Sequence, residues 1–198
     1  LYFDTDTGDV YIHSEQTGAA GTTGSGTKIF DATARGRITF DGTTYAVTGA
    51  AYAGHPVTGV TWYGAVKFCN WLTLDQGYGP DHRCYGEGTV SELNAWCPVT
   101  ISSTDWATRL MTAAERKALV AGYRGFRLPM DGGAGAAQAC NEWYKAAAWR
   151  PDLSRNVKYG FGRDTCSPAD GNWLGSGDPF EPGTTPVGYY DGSAHDAG

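Results

Sequence analysis

The first fifty residues alternate between apolar and polar positions, the period of strands that bury one face. LYFD and VYIH flank the polar run TDTG, which predicts a hairpin. The Gly/Thr-rich stretch 16–28 reads as a flexible linker or surface loop. Alternation resumes over 28–49, and Asp41-Gly42 predicts a two-residue turn pairing RITF with TYAV. From residue 60 the period changes. Val60, Gly64 or Ala65, Phe68, Cys69 and Leu72 recur at three and four, which predicts a helix over 62–74 capped by Thr61.

A long loop is expected over 75–105, then a short helix over 112–122, with Thr112 as cap, Glu115 three residues on and Gly122 as stop. FRLPM (126–130) reads as a short strand ended by proline, and 131–139 as a Gly-rich loop. NEWYKAAAW predicts a helix capped by Asn141 with Trp143, Ala146 and Ala147 toward a core. The remainder is loop, and no internal repeat is visible. The pattern is α+β, with two or three short helices.

Composition narrows the class. The chain has 198 residues, 41% hydrophobic and 13% aromatic, enough for one sizeable core and too apolar for disorder. Its 29 glycines fit a loop-rich surface. A net charge of −6 with scattered Lys and Arg argues against nucleic acid. No apolar run approaches a membrane span.

The five cysteines include no C-x-x-C pair. Cys69 falls in a helical pattern and reads as a buried free thiol. Cys84, Cys97, Cys140 and Cys166 lie in or beside loops and allow three disulfide pairings, of which Cys84 with Cys97 is the most local. Together with the low lysine content, this places the chain outside the cytoplasm, secreted or at the cell surface.

The four histidines share no metal-binding helix spacing, and no G-x-S-x-G, Walker or dinucleotide motif occurs. Asp4 to Glu15 has acids at the first, third and twelfth positions of a calcium loop. Asp9, however, stands where that loop's sharp turn needs glycine, so a turn between strands is preferred. Tryptophans on the helices are expected in the core; Trp96, Trp106 and Trp173, in predicted loops, are the candidates for ligand contact.

The ordered series HPVTGVTWYGAVKFCNWL, FRLPM, NEWYKAAAW, YGFG, NWLGSGDPF and TTPVGYY resembles the formylglycine-generating enzyme, or sulfatase-modifying-factor, family. The six blocks run from His55 to Tyr190. The resemblance implies an irregular C-type-lectin-like fold over 27–198, preceded by a hairpin and linker at 1–26. It also implies a Ca²⁺ site similar to Asn172, Trp173, Asp178 and Phe180, whose amide, carbonyl and carboxylate oxygens suit that ion. The family's oxidase carries a copper-binding cysteine pair downstream of the Thr-x-Pro-Val-Gly strand. None of the five cysteines matches those positions, so no catalytic residue is assigned, and the domain is expected to be C-terminally incomplete. The leading expectation is a binding or surface-assembly domain whose partner is a protein or glycan, with self-assembly open to it. The alternatives are a copper-dependent formylglycine-generating oxidase with its cysteine pair beyond Gly198, and a calcium-dependent glycan binder.

Overall fold

The computed structural model describes residues 1–12, 27–32, 37–88, 90–102, 104, 114, 118, 121–122, 124–130, 142–160, 162–173, 175–177, 179–180 and 183–190. These form two compact units, Leu1–Ala46 with Thr58–Leu128, and Val47–Val57 with Pro129–Gly198. The architecture is mixed α+β, with small antiparallel sheets and short helices.

In the first unit, β1 (Tyr2–Phe3) and β2 (Val10–Ile12) form the expected hairpin, with Tyr2 opposite Tyr11 and Phe3 opposite Val10. The turn between them is held by carboxylates. Asp4 Oδ1 accepts the N–H groups of Asp6 and Thr7, while Asp9 accepts that of Ala32 and pairs with Lys28 Nζ at 2.6 Å. These acids satisfy backbone and lysine donors, the role of a turn. Strand β3 (Thr27–Phe30) adds to β2, so one sheet joins the N-terminal hairpin to the chain beyond residue 26.

The pair β4 (Ile38–Phe40) and β5 (Tyr45–Val47) forms where alternation predicts it. The turn is one step later than expected. Asp41 N–H donates to the Thr44 carbonyl, so Gly42 and Thr43 are the central residues, with Gly42 at φ +94°. Asp41 Oδ1 accepts from the N–H groups of Thr43 and Thr44, which favours this closure over an Asp-Gly centre.

Helix α1 (Trp62–Asp75) matches the predicted span within a residue, and Thr61 Oγ1 accepts the Gly64 N–H as cap. At Gly64 a side chain would meet the Ile29 carbonyl, so glycine permits the helix to approach β3. The buried stripe keeps Cys69, a buried free thiol as expected, and otherwise departs from the predicted set. Val66, Cys69, Asn70 and Thr73 face inward, and Val60 and Phe68 are exposed.

Two polar residues lie on that inner stripe because the core offers them partners. Asn70 donates to the Tyr85 carbonyl (2.9 Å) and to Glu87 Oε1 (3.0 Å), and accepts the Tyr85 N–H (3.3 Å). Thr73 Oγ1 donates to the Cys69 carbonyl and accepts the Phe126 N–H, both at 2.9 Å. Around them pack Ile12, Ile29, Val66, Cys69, Cys84, Tyr85 and Trp96. Burial pushes the Tyr85 phenol up to about 12, although its oxygen accepts the Leu128 N–H at 2.9 Å.

The loop after α1 contains a small ribbon. Tyr85 pairs with Pro98 between the hydrogen bonds Val99 N to Cys84 O and Gly86 N to Cys97 O. Pro98 thus occupies a position where the ladder asks for no N–H. Two register steps separate Cys84 and Cys97, a diagonal of about 7–8 Å between Cα atoms, beyond the usual reach of a disulfide. The Cys84–Cys97 cross-link, the most local of the three pairings left open, is therefore absent, and both residues are free thiols, as are Cys69 and Cys166.

The second unit has helix α2 (Glu142–Ala148), followed by the hairpin of β6 (Trp149–Arg150) and β7 (Arg155–Asn156). The predicted helix exists but turns Trp143 outward, 68% exposed, with Ala146 also exposed; Ala148 is its buried residue. FRLPM forms no strand. Instead Met130 and Glu142 bind reciprocally: Glu142 N–H to the Met130 carbonyl at 2.8 Å, and Met130 N–H to Glu142 Oε2 at 3.1 Å. Gly162 N–H donates to the Tyr159 carbonyl, closing the Tyr-x-x-Gly turn. Asp170, 5% exposed, pairs with Arg163 and accepts the Ser167 N–H and hydroxyl. Thr112, Glu115, the 131–139 loop and Asn141 lie outside the described residues, while Ala114, Ala118, Ala121 and Gly122 are helical.

Replacing Asn70 with Ala strips the buried Tyr85 N–H and carbonyl of their partners. Urea denaturation should show a loss of about 2–6 kcal/mol, from about 1–3 kcal/mol for each of the two orphaned groups. A pH effect follows from Glu87. Burial alone would raise its pKa, but hydrogen bonds from Lys67 and Asn70 and the charges of Lys67 and Arg83 hold it below the usual glutamate value. A depressed carboxylate stabilises fully above the ordinary glutamate range, and that contribution fades as pH falls through the lower folded value. Glu87→Gln should flatten this acid limb by no more than about 1 kcal/mol, since the pair is partly solvated; denaturation midpoints from pH 7 to 3 measure it.

Candidate functional site

The inner stripe of α1 determines what its outer face presents. With Asn70 and Thr73 turned inward, Phe68, Trp71 and Leu74 lie outward, 57%, 51% and 42% exposed. Residues three apart are neighbours on a helix. Accordingly, the Phe68 and Trp71 rings stand 5.5 Å apart at a 33° tilt and form one apolar surface. Lys67, paired with Glu87, is adjacent to Phe68 in the chain, and Asp75, exposed, ends the helix. An exposed aromatic pair with flanking charges can stack on the apolar face of a ring or receive an apolar side chain.

The thiols of this unit have the opposite character. Cys69, Cys84 and Cys97 are buried, and desolvation raises the pKa of each, which disfavours the thiolate needed for attack or metal binding. Cys166, in the second unit, is exposed and shares a hydrogen bond with Tyr159, whose own pKa that contact raises.

The second unit draws together residues far apart in sequence. His55 Nδ1 lies 2.9 Å from Thr184 Oγ1, and the Val187 N–H donates to the Gly54 carbonyl at 2.8 Å. The imidazole meets Tyr52 and Phe180 edge-on at 5.3 and 5.2 Å, and Phe180 in turn meets Tyr189 at 5.1 Å. Its Nε2 is buried and has no hydrogen-bond partner among the described residues. Asn172 donates through Nδ2 to the Gly183 carbonyl at 2.7 Å, and the Trp173 carbonyl accepts the Ser176 N–H at 2.9 Å.

Of the four residues expected at a metal site, Asn172, Trp173 and Phe180 belong to the second unit, and Asp178 lies outside the described residues. The Asn172 contact leaves the amide oxygen as the ligand atom that side chain can offer. No cluster of three or more His, Cys, Asp or Glu suited to a metal occurs among the described residues.

Among the ligand candidates, Trp173 is 38% exposed and Trp106 lies outside the described residues. Trp96 is corrected. It is 2% exposed, donates its indole N–H to the Gly88 carbonyl at 3.1 Å and packs edge-on against Tyr63, so it is a core side chain. Trp62, Trp71, Trp143 and Trp149, expected inside, are all exposed. The Phe68–Trp71 face was missed because Asn70 and Thr73 repeat at the same spacing as Val66 and Cys69. That second stripe is visible in the sequence once polar residues are allowed inside.

No helix among the described residues is long and apolar enough to cross a membrane. No curated protein and no solved structure matches the chain. The sulfatase-modifying factor enzyme 1-like domain does match, over residues 16–170. That stretch takes in His55, α1, FRLPM, α2 and the Tyr159–Gly162 turn, and ends before Asn172, Phe180 and Thr184. It spans well over half of the sequence, and the chain belongs to the sulfatase-modifying factor enzyme 1-like domain family.

Proposed function

We propose that the chain is an extracytoplasmic binding or surface-assembly domain, built on the C-type-lectin-like version of its family's fold, which meets its partner through the outer face of α1. The observation that carries this reading is the paired exposure of Phe68 and Trp71 on successive turns, continued by Leu74. Aromatic pairs of this kind are the usual anchors of protein and glycan contacts. An oxidase reading asks for a soft thiolate pair to hold Cu(I). Burial raises the thiols of Cys69, Cys84 and Cys97, so none of them supplies that pair, and the oxidase reading depends on a cysteine pair beyond Gly198.

A Ca²⁺ ion bound by Asn172, the Trp173 carbonyl, Asp178 and Phe180 forms the second part of the proposal. Support comes from the Asn172–Gly183 bond, which fixes the amide so that its oxygen is the remaining ligand atom. The Trp173 carbonyl keeps a second lone pair beside the Ser176 contact. Such an ion would stabilise the loops around residues 172–183, and the exposed Trp173 would stand beside it as a sugar-stacking surface.

Trp71→Ala and Phe68→Ala should leave stability within about 0.5 kcal/mol, as for exposed positions. They should also reduce binding to immobilised glycans, or self-association in sedimentation velocity, at least tenfold. Unchanged behaviour in both assays would remove α1 as the contact face. For the metal, thermal melting with Ca²⁺ at a hundredfold excess over its Kd should show about 2.7 kcal/mol of added stability. The gain should be reversed by chelator and absent in Asp178→Ala. Identical melting with Ca²⁺ and with chelator would reject the ion.

A further inference from the structure

Cys69 and Cys84 share one buried cluster, Cys69 8% exposed and Cys84 fully enclosed. Each immediately precedes a member of the Asn70–Tyr85 pair, so the hydrogen bonds between residues 70 and 85 draw together the two segments that carry the thiols. The chain at Gly125 and Phe126 closes the arrangement. Phe126 N–H donates to Thr73 Oγ1, one turn along α1 from Cys69, and the Cys84 thiol is directed at the His82 carbonyl, 3.8 Å away. Cys97 is set apart by the ribbon's register, and its Sγ contacts the Ile101 carbonyl at 3.3 Å.

We propose that Cys69 and Cys84 are a redox pair, shown here reduced, that closes into an intrachain disulfide joining α1 to the ribbon behind it. The oxidant is an external disulfide, either a small molecule or a protein. Before the core closes, the Cys69 thiolate attacks one external sulfur and expels the other as a thiolate. Cys84, as thiolate, then attacks the Cys69 sulfur and releases the remaining external thiolate. The protein gives up two protons and two electrons, and the external disulfide takes up both to become two thiols. Burial keeps both protein thiols protonated, so exchange is slow once the core has closed and coincides with folding.

The whole chain is refolded in oxidised and in reduced glutathione, denatured, alkylated without reductant and digested. The expected result is a peptide cross-linked from Cys69 to Cys84 in most of the oxidised sample, absent from the reduced one and released by dithiothreitol. The oxidised chain should also melt several degrees higher. A Cys97→Ser/Cys166→Ser variant should keep the cross-link, and Cys69→Ser should lose it. The double variant decides the matter by itself if the core substitution does not fold. Alkylated Cys69 and Cys84 in the oxidised sample, or cross-links joining other cysteines, would overturn the pair.

Discussion

One side-chain amide organises the first unit. From within α1 the Asn70 side chain satisfies both backbone groups of Tyr85, and its amide N–H donors reach Glu87 as well. A loop-rich domain has few ladders to pair its backbone, and buried N–H and C=O groups left alone are costly. Side chains must therefore supply partners from inside the core. Once Asn70 and Thr73 take that task, the rotation of α1 is settled. Val66 and Cys69 follow them inward, Gly64 approaches β3, and the large rings of Phe68 and Trp71 turn toward solvent.

The second unit uses the same device between segments distant in sequence. Glu142 with Met130, His55 with Thr184, and Asn172 with Gly183 each join one motif block to another or to the chain beside it. This gives the ordered series of blocks a physical meaning. Its residues hold irregular backbone in place, and their spacing along the chain follows from which loops must meet. Sequence likeness of this kind reports the scaffold, and chemistry has to be argued from separate side chains.

Local rules were sufficient where contacts are local. The N-terminal hairpin, the bounds of α1 and its Thr61 cap were legible because alternation, a three-to-four period and a hydroxyl before an apolar run each act within a few residues. Burial was not legible. Trp96 reads as a loop residue and fills the core, whereas Trp71 and Trp143 read as core and are exposed. What decides these cases is a partner far away, such as Tyr85 for Asn70 or Phe126 for Thr73, and the hydrophobic period of α1 carries no trace of it. The Cys84–Cys97 pairing failed for a related reason. Closeness in sequence favoured it, while the register of a ribbon only three residues long placed the two on a diagonal.

Pro98 shows how that ribbon is completed by subtraction. Its nitrogen points away from Tyr85 and the residue is buried. Any other residue would put on that nitrogen a hydrogen the ribbon does not pair, a donor needing water or an acceptor of its own, at about 1–3 kcal/mol if neither is met. The position is thus selected for a group the side chain removes rather than one it provides. Substitutions there, even by residues of matching size and hydrophobicity, would be poorly tolerated in a way that volume or polarity scales do not register.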